Sequence, residues 1–212
     1  MQQKEFLEVS AAPVEDAIRQ MLEPYFGDFS ECVQDGWQAW ERIQRQIPDS
    51  CKSLRSPTIA SIVFDNIIES ARKIFRKYDK NVVVMYDDVN LGFPVLDFAG
   101  KLCVRFKKLR HNFKPSNVKT NRQKGLEQQL LTLDGIPLVT EGAVWLTAGY
   151  RLNASEDAIK DISIVCWHGE TLWWRICLPL SQTVPMQHET AEVPETQIVP
   201  KAQIKRSIQK QA

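Results

Sequence analysis

The chain has 212 residues, 43% apolar and 25% charged, with 27 Lys and Arg against 26 Asp and Glu for a formal net charge of +1. That length and balance suit one globular domain with a core of its own, and they exclude a collagen-like or wholly disordered chain. No apolar run approaches the roughly 18 residues of a membrane span, and MQQKEFLEVSAAPVEDA at the start has no apolar run of the signal-peptide kind.

The five cysteines, Cys32, Cys51, Cys103, Cys166 and Cys177, are odd in number and sit mostly in apolar segments. Reduced thiols fit that pattern better than a disulfide framework, so a cytoplasmic protein is expected.

Residues 13–26, PVEDAIRQMLEPYF, open with Pro at a first helical position and acids in the first turn, and predict a helix that Pro24 ends or kinks. Residues 29–47 predict a second helix, with Ser30 as N-cap and Phe29, Val33, Trp37, Trp40 and Ile47 on one face; Gly36 weakens it by about 1 kcal/mol. Residues 56–78 are the clearest helix, Ser56 and Pro57 supplying its start, with a buried stripe from Ile59 through Val63, Ile67 and Ala71 to Phe75 and Tyr78.

NVVVMYD (81–87) reads as a buried strand. Residues 93–109 predict a β-hairpin in which Asp97 opens the turn, Gly100 takes its left-handed position and Leu96 pairs with Leu102. Leu102, Val104 and Phe106 then face inward, and Cys103, Arg105 and Lys107 face the other side. A polar loop comes next, then a short helix at 120–133 announced by Thr120 and Gln123 at capping-box spacing. Residues 142–152 and the hairpin 161–178, turning at Gly169-Glu170, complete the strands. In that hairpin Val165, Trp167, Leu172, Trp174 and Ile176 are expected to share one face, and Ile164, Cys166, His168, Trp173 and Arg175 the other.

The expected fold is α+β: N-terminal helices, then a mainly antiparallel sheet with one inserted helix. The expected organisation is acidic N-terminal helices (1–55), a core domain (56–180) and a tail (181–212) without Phe, Tyr or Trp, too polar to order itself. Residues 202–210 of that tail put Ile204 and Ile208 on one helical face, a place for a protein partner.

Charge points to function. RFKKLRHNFKPSNVKTNRQK (105–124) holds eight Lys or Arg and no acid, whereas residues 1–50 hold ten acids against four basic residues. Arg105, Lys107, Lys108, Arg110, Lys114, Lys119, Arg122 and Lys124, with Asn117 and Thr120 as polar contacts, are the candidate surface for a polyanionic or acidic partner. His111 and Phe113 are candidates for stacking on unpaired bases, and Trp173 beside Arg175 for a further contact. Two counterparts stay open: a nucleic acid, or an acidic protein surface, including the chain's own first fifty residues.

A nuclease is the rival. Helix, three strands, helix and strand is the element order of the PD-(D/E)-x-K core, with Asp97 ending the second strand, Lys107 on the third and Glu69 on the helix before. Arg105, however, stands where that motif needs an acid. Cys166, His168 and Cys177 do not make a zinc site, since the hairpin separates the two cysteines along the strands. No phosphate-binding glycine loop or nucleophile elbow is present, and no cofactor is expected.

At RFKKL (105–109), Thr120 with Gln123, AGYRLN (148–153) and WWRICL (173–178) the chain resembles a loosely defined group of uncharacterised bacterial proteins. Members of that group occur beside a repressor paired with a metallopeptidase in stress and phage-defence modules. The resemblance covers residues 93–178 and implies a partner-dependent regulatory or toxin–antitoxin-like role, with no catalytic residue carried over. The overall expectation is a binding protein rather than an enzyme.

Overall fold

The computed structural model describes residues 15–86, 93–116 and 143–180. Helix α1 (Glu15–Leu22) runs through a 3-10 turn (Glu23–Tyr25) into α2 (Phe26–Gln46), followed by the short α3 (Pro48–Lys52) and by α4 (Ser56–Phe75). Pro24 ends α1, but it sits in the opening turn of the 3-10 segment, where its missing N–H costs nothing, so the chain resumes α-helix at Phe26. Ser30 is therefore not an N-cap. It lies inside α2, fully buried, its hydroxyl without a partner among the described residues.

Strands β1 (Val83–Tyr86), β2 (Val95–Phe98), β3 (Leu102–Lys108), β4 (Val144–Leu152), β5 (Ile159–His168) and β6 (Thr171–Leu178) form one sheet in sequence order. Every neighbouring pair is antiparallel except β3–β4, which is parallel. The α+β class read from the sequence is the class observed.

The helices cover one face of the sheet. Phe29 of α2 packs against Phe75, Phe98 and Phe106 with ring centroids 5.4, 5.8 and 5.9 Å away, and the same core takes in Val63, Ile67 and Ala71 of α4. One core thus spans the expected boundary at residue 55, and residues 15–55 belong to it. Gly36 has a specific role here: a Cβ on it would sit 2.4 Å from Ile67 Cγ1 and 2.8 Å from the Val63 carbonyl oxygen. Its absence lets α2 and α4 cross closely.

In the β2–β3 hairpin Leu96 faces Val104 and Phe98 faces Leu102, one step on from the expected pairing on both strands. Side-chain parity survives, so Leu102, Val104 and Phe106 do enter the core. The turn residues are Ala99 and Gly100, both at positive φ, closed by Lys101 N–H donating to the Phe98 carbonyl at 3.0 Å.

The β5–β6 hairpin departs further. His168 faces Thr171 and Trp167 faces Leu172, as Gly169-Glu170 dictates, but a bulge then shifts the register so that Cys166 faces Trp174 and Ile164 faces Ile176. One extra residue on a strand reverses the facing of all residues beyond it. Trp174 and Ile176 therefore join Ile164 and Cys166 in the helix-covered core, while Val165 and Trp167 occupy the other face. Trp173, at the bulge, stacks on His168 with ring centroids 4.6 Å apart.

Candidate anion-binding cleft

Of the ten candidate contact residues, Arg105, Lys107, Lys108, Arg110 and Lys114 fall within the described residues; Asn117, Lys119, Thr120, Arg122 and Lys124 lie outside them. The expected helix at 120–133 and the tail lie outside as well.

The five divide by burial. Arg105 is buried, 5% exposed, on the sheet face away from the helices. Its Nε donates to Thr147 Oγ1 at 3.3 Å and its guanidinium lies 5.6 Å from the Phe93 ring centroid. Strand alternation does turn Arg105 away from the helix-covered core, but that second face is itself covered, so Arg105 is not a surface contact. Lys107 is half-buried with its ammonium 5.2 Å from the Phe64 ring; burial, then the charge of Arg105, lowers its pKa.

Beyond Lys108 the chain does not run on as an open polar loop. Leu109 bridges Pro115, Arg110 N–H donates to the Lys114 carbonyl and Ser116 N–H to the Lys108 carbonyl, both at 2.9 Å. This tight hairpin is fastened to the sheet by Leu109 and Phe113, which pack with Val165, Trp167 and Leu172. Phe113, at positive φ, is not open for base stacking: the Arg151 and Arg175 guanidinium carbons lie 3.7 and 4.2 Å from its ring centroid. Lys114 Nζ donates to Glu170 at 2.5 Å.

Where β3 and β4 end and β5 begins, a cleft of about 560 Å³ opens between three chain segments: the start of α4 at Ser56, the stretch from Lys108 to Ser116, and the stretch from Arg151 to Lys160. Among the described residues, the basic side chains of Lys108, Arg110, Arg151 and Lys160 line it together with His111 and a single carboxylate, Glu156. Lys108 Nζ donates to Glu156 at 3.0 Å and to Ser56 Oγ at 3.4 Å. Arg151 Nε donates to Asp161 at 2.9 Å and its Nη1 to the His111 carbonyl at 2.8 Å, locking the hairpin onto β4 and β5. The Asp161 bonds raise the pKa of Arg151. The side chains of Arg110, His111 and Lys160 are exposed or nearly so and have no charged partner among the described residues.

Among the described residues, the acids of the N-terminal helices pair away from this cluster. Asp28 takes Lys77 Nζ at 2.7 Å and the Tyr78 hydroxyl, Asp35 takes Ser70 at 2.5 Å, and Glu15 and Glu41 pair with Arg19 and Arg45 in their own helices. Among the described residues, Lys108 and Lys114 of the basic stretch take their counter-charge from Glu156 and Glu170.

Asp97 accepts the Gly100 N–H at 2.9 Å, a turn-forming contact, and burial raises its pKa. Glu69 pairs with Lys73 at 3.2 Å on the exposed side of α4. Among the described residues no three His, Cys, Asp or Glu side chains group as metal ligands, and no helix is long and apolar enough to cross a membrane.

Sequence reasoning passed over Arg151, Lys160, Ser56 and Glu156. Arg151, Ser56 and Glu156 lie 40 to 52 residues from the hairpin residues they bond. Only strand pairing brings these segments together: Lys108 lies beside Tyr150 in the parallel register, and Arg151 beside Asp161 in the antiparallel one. Comparisons with protein-family models, with curated proteins and with solved structures return no match.

Proposed function

We propose that this chain is a binding protein that captures the phosphates of a nucleic acid in the cleft between the 108–116 hairpin and the 151–160 segment. The observation that carries this reading is the convergence of four basic side chains from separate segments on one concavity, with Glu156 the single acid lining it among the described residues. A concave cluster of unlike donors suits a phosphate chain that can enter it; an acidic protein surface, convex and sparsely charged, would meet Arg110 and Lys160 but not Lys108 or Arg151. Lys and Arg there neutralise phosphates and release counterions, so affinity falls with salt. The regulatory role implied by the resemblance to stress- and phage-defence proteins would be exercised through this capture.

The test is a salt titration of the full chain binding short single- and double-stranded DNA and RNA. Binding should weaken with salt, with a log–log slope of roughly −0.7 for each phosphate engaged on a single strand. The double variant Arg110→Glu/Lys160→Glu should lose about tenfold or more in affinity, whereas Lys73→Glu, on the far side of α4, should leave it unchanged. Binding that the cleft variant retains, or no binding to any nucleic acid, would overturn the reading; the latter points to an acidic protein as partner.

A further inference from the structure

The cleft is walled by three chain segments and carries a charge excess that one phosphodiester would not neutralise. Lys108 is paired with Glu156 and Arg151 with Asp161, while Arg110, Lys160 and the His111 imidazole line the cleft with no charged partner among the described residues. A phosphodiester brings one negative charge; a phosphate monoester brings about −1.5 to −2 near neutral pH, with three acceptor oxygens free to take bonds from different directions.

The donors in the cleft do come from different directions. Lys108 is supplied by β3, Arg110 and His111 by the hairpin, Lys160 by β5, Ser56 by the start of α4 and Ser116 by the far end of the hairpin. The position of an anionic oxygen is already marked by the Glu156 carboxylate, 3.0 Å from Lys108 Nζ. Glu156 is 58% exposed on its side chain and sits at positive φ, in the loop that Asn153 closes by accepting the Asp157 N–H at 3.1 Å. It is a solvent-accessible carboxylate paired with Lys108.

We infer that the cleft receives a terminal phosphate monoester, the phosphorylated end of a nucleic-acid strand, with Glu156 holding the site in its absence. This rests on the nucleic-acid reading above and narrows it from backbone contact to end recognition. Arg110 and Lys160 supply the charge, Lys108 is released from Glu156 to the phosphate, and Arg151 is a positioning residue that keeps the hairpin in place.

The deciding measurement is the affinity of the full chain for one single-stranded oligonucleotide prepared with a 5′-phosphate, with a 3′-phosphate and with hydroxyls at both ends. One phosphorylated form should bind about tenfold or more tighter than the hydroxyl form, and Arg110→Ala/Lys160→Ala should erase that preference. Glu156→Gln, which removes the resident charge, should tighten the phosphorylated form more than the hydroxyl form. Equal affinity for all three strands would overturn end recognition and leave the broader reading standing; no binding to any would remove both. A nucleoside monophosphate used as competitor separates the two sources of such a phosphate. Displacement at the strand's own affinity assigns the site to free nucleotide, and displacement only at far higher concentration assigns it to a strand end.

Discussion

The two faces of the sheet are buried by different chemistry. Against the helices lie Leu96, Val104, Phe106, Leu146, Ile162 and Ile176, all apolar and almost wholly out of solvent. The opposite face buries Asp97, Cys103, Arg105, Thr147 and Ser163 beside Trp145, Val165 and Trp167. Apolar burial is non-directional and tolerates adjustment, whereas a buried polar group is stabilised only by a partner at its own distance; the Ser163 hydroxyl, without one among the described residues, is the exception. Arg105 has Thr147 and the Phe93 ring, and Asp97 has the Gly100 amide. The Cys103 thiol is pushed up to about 12 by burial and then by the nearby Asp97 charge, which keeps it protonated and inert. The helix-covered face holds the fold together. The other face holds the end of β3 and the hairpin after it in the position from which Lys108, Arg110 and His111 line the cleft.

Adding a methyl group at a glycine on each side tests that contrast most severely. A Cβ on Gly149 would lie 2.4 Å from the Lys107 carbonyl oxygen and 2.6 Å from Leu109 Cγ. Backbone there cannot yield without opening the β3–β4 pairing, so Gly149→Ala should cost about 3 kcal/mol in urea unfolding. It should also weaken ligand binding in whatever fraction stays folded, because Leu109 anchors the hairpin. Gly36→Ala meets the Ile67 side chain and also the backbone of α4, at the Val63 carbonyl oxygen and the Ile67 nitrogen; set against the roughly 1 kcal/mol gained in helix propensity, a net loss of about 2 kcal/mol is expected, with binding affinity unchanged because the clash lies between two helices away from the cleft. Equal tolerance at both sites would erase the distinction between the two faces.

A smaller effect sharpens it at Asp97. Asp97→Ala removes the acceptor for Gly100 N–H and should cost about 1 kcal/mol. Asp97→Asn keeps an acceptor oxygen and abolishes a buried charge. Because burial raises the folded pKa of Asp97 above its ordinary value, the stability tied to its protonated form is complete below the unfolded pKa and is lost as pH rises through the folded one. The Asn variant should therefore equal or exceed the parent in melting temperature at pH 7, and its advantage should shrink as pH falls towards about 4. An Asn variant that is less stable than the parent at pH 7 would mean the carboxylate is paired more strongly than the Gly100 contact provides. The same variant bears on the nuclease alternative, since magnesium-dependent cleavage that vanished in Asp97→Asn would assign Asp97 a catalytic role in place of its turn contact.

Much of the fold was legible because its signals are local. The stripe of α4 and the alternation of β3 each arise from residues a few positions apart, and each places inward the side chains that the structure places inward; the β-branched run of β1 marked a strand, but of it only Val83 is buried and Val82 is exposed. The turn at Gly169-Glu170 was legible too. The bulge at Trp173 was not: nothing in LWWRICL distinguishes a regular strand from one with an extra residue, and the choice is made by whether Trp174 and Ile176 can reach the helices. The candidate site divides in the same way. The excess of Lys and Arg in 105–116 identified one wall of the cleft, but charge density along a chain cannot separate Arg105, which is buried, from Arg110, which is exposed.

By itself the sequence determined the α+β class, the long helices and the strands among the described residues, the inward faces of α4 and β3, and the presence of a cationic stretch and acidic N-terminal helices. Only the tertiary structure decided that the acids of α1 and α2 pair elsewhere among the described residues, that one face of the sheet buries an arginine, and that Arg151, Glu156 and Lys160 complete the cleft. The physical reason is range. Periodicity and turn chemistry act within a few residues, whereas strand order and register are fixed by burial summed over the whole sheet, and the cleft is a product of register.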